Sequence, residues 1–187
     1  MRKNPEVTFK FKKFGEAKAV LYPQYAPQTC FNFISLIKRQ YYDGLKVYNI
    51  VPNYMITMGC PFSRGVSGPG YGVFGEFLEN GYEHNRLTHS SGALTMLHET
   101  LPNSAGSIFS ILCGDIHSMD GKQAVFGEIT EGLDVIKEMT LIGCDKKGLP
   151  MIKPVCESIR VETFGEEYPE PEHIPLGKVV SFFGKRR

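Results

Sequence analysis

Only twice in 187 residues does the apolar pattern of this chain take up the helical period. Within APQTCFNFISLIKRQYYDG, Cys30, Phe33, Ile34 and Ile37 fall at i, i+3, i+4 and i+7 and make one apolar face. Gln28 or Thr29 stands near the start of this predicted helix. The Lys38-Arg39 pair in its last turn suits the negative helix terminus. The second case is Leu133, Ile136 and Met139 within Glu131 to Thr140. The remaining apolar segments are short. PEVTFKFKKF alternates from Val7 through Phe11, Gly15 breaks the pattern, and Ala17 to Leu21 resumes it, which predicts an opening hairpin. Leu45 to Met58 reads as two strands split by Pro52-Asn53. Gly92 to Leu97 and Ile108 to Leu112 are further strands. A tight turn at Met119 to Lys122 leads to another strand through Phe126, and Val155 to Phe164 alternates as a closing strand. Two helices set wide apart among many strands suit a barrel with a helix over each open end. Twenty glycines and twelve prolines supply the turns that such strands need.

The length suits one domain with a sizeable core. We place it at residues 1–165, followed by a Pro/Glu-rich extension over 166–187 that ends in an apolar-basic tail. Residues 166–176 (EEYPEPEHIPL) are predicted to be extended, without a core of their own, because proline lacks a backbone donor and cannot extend a sheet. Val179, Val180, Phe182 and Phe183 beyond them are expected to dock on the barrel or on a neighbouring molecule. The Gly-rich residues 61–75 are expected to lack regular structure.

Several function classes receive no support. A net charge of +1 offers no electrostatic case for nucleic acid or an anionic membrane. No run approaches the ~18 apolar residues of a membrane helix, and no apolar segment comes after the basic N-terminus as in a secretory signal. The five cysteines are odd in number and without CxxC spacing, so buried free thiols in a reducing cytosol are expected. His84, His89 and His98 lie among Glu76, Glu79, Glu83 and Glu99, but without the HxxxH spacing of a helical metal site. Neither a nucleophile elbow nor a phosphate-binding Gly-Lys-Ser/Thr is present. No metal and no cofactor are expected.

Eight pieces of the chain carry a resemblance: LYPQYAPQTCFNFISL, YYDGL, VPNYM, SGPGYG, GALTM, PNSAGS, MDGKQAVFGEI and EGLDVI. In this order, from about Val7 to Phe164, they resemble the cyclophilin family of peptidyl-prolyl cis-trans isomerases. The resemblance implies a mainly β fold, a closed eight-stranded β-barrel capped by two α-helices. It also implies a monomeric cytoplasmic protein that acts in protein folding on proline-containing peptides or proteins. Its groove would hold an X-Pro segment. Tyr54 and Met55 match the family's Phe-Met pair, and Met119 keeps an apolar position. Elsewhere the groove is substituted. Asn49 stands where the family has its central Arg, and Gln123 where it has a His. Thr57 replaces a Gln, Leu97-His98 an Ala-Asn step, Ile108 a Gln, Ser110 a Phe and Ser118 a Trp or its equivalent.

The chemistry gives these departures weight. Rotation about an X-Pro bond breaks amide resonance, with a barrier of about 18–20 kcal/mol. No bond is made or cleaved, so the enzyme can only bind the twisted amide better than either planar isomer. In the twisted state the prolyl nitrogen regains a lone pair, to which a guanidinium can donate. Asn49 is short and neutral. Ser110 and Leu97 alter the pocket that immobilises the proline ring. Two readings are open. One is an isomerase of reduced activity with Asn49 and Gln123 at the catalytic positions and Tyr54, Met55, Thr57, Leu97, His98, Ile108, Ser110, Ser118 and Met119 against the substrate. The other is a catalytically inactive binding module on the same fold.

Overall fold

The computed structural model describes residues 3–63, 65, 68–145 and 149–176. Strands β1 (Glu6–Phe11) and β2 (Gly15–Leu21) form the expected hairpin, with Val7 opposite Ala19 and Phe9 opposite Ala17. Those four side chains are buried while Thr8 and Lys10 between them turn outward, as period-two alternation requires. Helix α1 (Pro27–Lys38) is next. After it come β3 (Asn49–Val51), β4 (Met55–Met58), β5 (Tyr71–Gly72), β6 (Ala93–Met96), β7 (Phe109–Leu112) and β8 (Ala124–Glu131). Helix α2 (Leu133–Thr140), β9 (Cys156–Glu162) and β10 (Ile174–Pro175) complete the described chain. Asn53 turns the chain between β3 and β4 at φ 64°, a left-handed conformation that asparagine tolerates.

Eight strands form one antiparallel sheet in the order β3-β4-β7-β6-β8-β2-β1-β9. The two edge strands meet through the residues just before them rather than along a full ladder. Lys46 bridges Val155, Val47 N–H donates to the Pro154 carbonyl at 2.9 Å, and Cys156 N–H donates to that of Leu45 at 2.8 Å. The barrel therefore closes by a short seam. Helix α1 packs against β8 and β9, and α2 against β2, β3 and β4. Phe33 of α1 is fully buried, its ring edge-on to Phe109 and Phe126 with centroids 5.0 Å away in each case. Burying a side chain of this size contributes about 1.5–3 kcal/mol. All five cysteines are thiols, and Cys30, Cys60, Cys113 and Cys156 are buried.

Helix α1 begins where the pattern placed it, but its cap comes from far along the chain. The residue before Pro27 is Ala26, which has no side-chain acceptor. The carboxylate of Glu76, 1% exposed, takes that role. Its Oε1 accepts the Gln28 N–H at 2.8 Å, and its Oε2 accepts the Thr29 N–H at 2.9 Å and the Thr29 hydroxyl at 2.7 Å. Two orphan N–H donors and one hydroxyl at the positive end of the helix are thus met by one carboxyl group. Burial pushes the Glu76 carboxyl above its usual range, and the three hydrogen bonds offset that only in part.

Two expectations need amendment. Residues 61–75 do contain regular structure, the short strand β5, and residues 166–176 supply its partner β10, with Ile174 opposite Gly72 and Pro175 opposite Tyr71. Pro175 stands in this pairing in spite of its missing donor, because the ladder is two residues long and lies at an edge. Gly72 has a local reason to be glycine: a Cβ there would run into the Asn103 carbonyl. Val179, Val180, Phe182 and Phe183 lie outside the described residues.

We propose that the barrel closes without residues 166–187. Strand β9 ends at Glu162, and of the extension Tyr168 packs against the rim of the main core while Glu170, Ile174 and Pro175 make their contacts with α1 and β5. A chain ending at Gly165 is expected to melt cooperatively, with a loss of about 1–3 kcal/mol from the missing ring and ion-pair contacts. Loss of cooperative melting in calorimetry would place the extension in the core.

Candidate functional site

The groove residues collect on the outer face of β3, β4, β7 and β6. The core side of these strands is taken by Ile50, Ile56, Met58, Phe109, Ile111, Leu94 and Met96. The alternate positions face outward, and register lines them up: Asn49 opposite Thr57, Thr57 opposite Ser110, Ser110 opposite Thr95. Residues paired in this way share a face and sit close. One step along the strands the outward residues are apolar. Met55 lies opposite Leu112 and packs with Ala93, Val125, Leu87 and Ile116 in a second, smaller cluster. A shallow cavity of about 220 Å³ adjoins this cluster and shares Leu87, Ala93 and Val125 with it.

The polar row lies beneath the surface. Thr57 is 2% exposed, and Ser110 and Thr95 are fully buried. Thr57 Oγ1 and Ser110 Oγ are 2.8 Å apart, a hydroxyl pair that satisfies itself. Thr95 instead bonds to Nε2 of the buried His89 at 3.0 Å, while His89 Nδ1 lies 2.9 Å from Asp120 Oδ1. The carboxylate accepts from Nδ1, so Nε2 of the neutral ring accepts the Thr95 hydroxyl. Burial holds His89 below its usual pKa, against the pull of Asp120, and this favours the neutral ring. Desolvation would raise the Asp120 carboxyl, but hydrogen bonds from the His89 main chain, the His89 ring and His117 outweigh it and hold the carboxyl low. The second oxygen of Asp120 lies 3.0 Å from His117 Nδ1.

The other candidates sit around this floor. Tyr54, 48% exposed, stands at the β3–β4 turn, and its carbonyl accepts from the N–H groups of Cys113 at 2.7 Å and Gly114 at 3.2 Å. Leu97 and Ile108 are half-buried neighbours joined by a bond from Leu97 N–H to the Ile108 carbonyl at 2.9 Å. Gln123 is tied to this group, its Oε1 accepting the His98 N–H at 3.3 Å. The His98 ring stacks on Phe77 with centroids 4.9 Å apart, and its nitrogens lie 2.7 Å from the Glu99 carbonyl and 2.9 Å from that of Lys122. Ser118 is exposed and Met119 half-buried in the short turn His117–Met119, whose next residue is Asp120. Asn49 is half-buried on the edge strand β3.

The structure thus joins Asn49, Thr57 and Ser110 by register, and Leu97, His98, Ile108 and Gln123 by bonds. Of the histidines weighed for a metal, His89 and His98 each have separate partners, and no group of three metal-ligating side chains occurs among the described residues. Arg86 donates its Nε–H to the Glu83 carbonyl at 3.3 Å, and Arg64 lies outside the described residues. Sequence reasoning passed over Thr95 and Asp120, and weighed His89 only as a metal ligand. Thr95 carried a signal: a hydroxyl within the apolar run GALTM, on the face opposite Leu94 and Met96.

The chain matches the family model described as cyclophilin type peptidyl-prolyl cis-trans isomerase/CLD over residues 6–161. It is 31% identical over 153 residues to peptidyl-prolyl cis-trans isomerase-like 1 of Aspergillus fumigatus, covering 82% of this chain and 93% of that protein. It is 38% identical over 120 residues to peptidyl-prolyl cis-trans isomerase B of Bacillus subtilis, covering 64% of this chain and 80% of that one. Its fold is similar to a crystal structure of a cyclophilin type peptidyl-prolyl cis-trans isomerase from Cryptosporidium parvum, solved in the presence of the dipeptide Ala-Pro. The TM-score is 0.74 at 22% identity, with 84% of this chain and 98% of that one covered.

Proposed function

The chain belongs to the cyclophilin-type peptidyl-prolyl cis-trans isomerase family, and from that premise we propose that its groove binds X-Pro segments of protein chains and isomerises them slowly. The observation that carries this reading is the polar row. In the register that the resemblance assigns, Asn49 takes the place of the guanidinium, and beside it Ser110, bonded to Thr57, lies buried where the pocket's aromatic floor belongs. The apolar part of the groove persists in Met55, with Leu112 and Ala93 behind it, and in the exposed ring of Tyr54. A proline ring can be held there by burial alone. Holding the ring lowers the free energy of planar and twisted isomers alike and so contributes to binding more than to rate. Asn49, Gln123 and the residues around them are accordingly assigned to the groove as positions that contact or border the substrate, with little electrostatic help for the twisted amide.

We place the protein in the cytosol as a monomeric folding helper. No helix among the described residues is long and apolar enough to cross a membrane. A protease-coupled assay on an X-Pro peptide tests the isomerase reading, with peptide titration followed by NMR alongside it. Saturable binding without rate enhancement would assign the fold to a binding module. Absence of both would remove the groove as a site.

A related expectation concerns macrocycles of the cyclosporin type, which in the family use the same trough. Asn49, Thr57, Ile108, Ser118 and Gln123 differ from the expected polar or aromatic partners. Each unmet buried polar group of the ligand costs about 1–3 kcal/mol. Losing two or three should make binding hard to detect by calorimetry, and submicromolar affinity would contradict the assignment of the groove.

A further inference from the structure

A second face of the molecule, on the outside of α1 and β5, already holds a peptide: the chain's own residues 168–175. The Glu170 carboxylate accepts from the Ser35 hydroxyl and from Arg39 Nη2, both at 2.7 Å. Ser35, and after it Arg39, hold this carboxyl below its usual range against the opposing effect of desolvation. Gln28 Oε1 accepts the main-chain N–H of Glu172 at 2.7 Å. The His173 ring lies flat on Tyr71, centroids 3.6 Å apart and planes 16° from parallel. Ile174 and Pro175 then pair with the β5 edge, and Pro171 is buried within the same stretch.

These contacts are of the kinds by which proteins recognise extended peptides: a short backbone pairing with β5, a cation and hydroxyl around a carboxylate, and a ring stack. None of them depends on the covalent link through residues 163–167. A peptide of the same chemistry on another molecule could make every one. The surface it needs is prepared from within the fold, because Tyr71 donates its hydroxyl to Asn32 Oδ1 at 3.0 Å, and Asn32 in turn donates to the Gly106 carbonyl.

We propose that the α1–β5 face is a peptide-recognition site, separate from the groove, for extended acidic proline-bearing segments of the Glu-Pro-Glu-x-x-Pro kind on a partner protein, and that residues 170–175 occupy it as a tethered competitor. Charge selects the partner: Arg39 and Ser35 require an acid at the position of Glu170. A tether of this kind corresponds to a local concentration in the millimolar range, so a free peptide gains the face only when the tether's own contacts are weakened or the partner binds better.

The test uses the full chain and a labelled synthetic peptide with the sequence of residues 166–176, followed by fluorescence polarisation. Glu170→Arg places a cation against Arg39 and should release the tether, so the peptide is expected to bind this variant about tenfold or more tightly than it binds the unaltered chain. Arg39→Glu also repels the native tail. It should reject the native peptide and accept one carrying Arg at the position of Glu170. If the folded Glu170→Arg chain binds the native peptide no better than the unaltered chain does, or Arg39→Glu fails to invert the preference, the proposal is overturned. If Glu170→Arg does not fold, amide exchange of Ile174 in the unaltered chain decides. Peptide added above the tether's own millimolar local concentration should speed it by displacement, and an unchanged rate at that concentration overturns the proposal. Association of the unaltered chain into dimers through exchanged tails would give the face to a second copy and overturn the assignment to a partner.

Discussion

On a standard X-Pro peptide, this chain is expected to isomerise about 10²-fold or more slowly than an intact cyclophilin site measured in parallel. One preorganised donor aimed at developing charge or at an emerging lone pair is typically worth roughly 2.7–4 kcal/mol, or 10²–10³ in rate. Asn49 cannot supply it, since its amide is neutral and several bonds shorter than a guanidinium. The loss should fall on kcat and kcat/KM together, because the missing interaction belongs to the twisted state. Asn49→Arg is the direct check. It should raise kcat/KM by roughly tenfold, short of the full factor, because Ser110, bonded to Thr57, still replaces the aromatic floor beside it. A rate for the unaltered chain within tenfold of the intact site would mean that another donor reaches the groove. Arg86 would not be that donor without leaving the Glu83 carbonyl.

The second large effect concerns stability. Glu76→Ala is expected to cost about 3 kcal/mol, since it strips the partner from the N–H groups of Gln28 and Thr29 and from the Thr29 hydroxyl at a buried helix start. In a domain of this size that corresponds to a fall of roughly 6–12 °C in Tm. The pH dependence has a definite sign. Burial raises the Glu76 carboxyl in the folded state, so the folded protein holds this proton more tightly than the unfolded chain does. The contribution of Glu76 is then largest below its unfolded pKa and falls as pH rises through the folded value. The stability gap between the unaltered chain and Glu76→Ala should therefore be wider at about pH 4 than at pH 7. Urea titrations at both pH values measure it. A gap below about 1 kcal/mol at both would mean that α1 starts without this cap.

Much of the fold was legible because it is written in short-range periodicity. Alternation at Val7 to Phe11 and at Ala17 to Leu21 gave a hairpin whose register buries those same residues. The spacing of Cys30, Phe33, Ile34 and Ile37 gave a helix whose buried face contains all four. The site was legible only through resemblance, which supplied the positions of Asn49, Tyr54, Ser110 and Gln123 but not their surroundings.

What the sequence determined by itself was therefore the identity and order of the two helices and of the eight strands of the main sheet, with the face that each helix and the opening hairpin bury, since these depend on neighbours within a few residues. Tertiary structure alone decided the rest. It brought Glu76 to the start of α1 from 47 residues away. It set Ser110 against Thr57 and Thr95 against His89, so that a row of hydroxyls became a buried, satisfied floor. It also laid the Glu-Pro segment on β5, where a pattern without periodicity had predicted no pairing. A buried polar group or an edge strand takes whatever partner the folded chain delivers. Such partners are distant in sequence, and no local pattern records them.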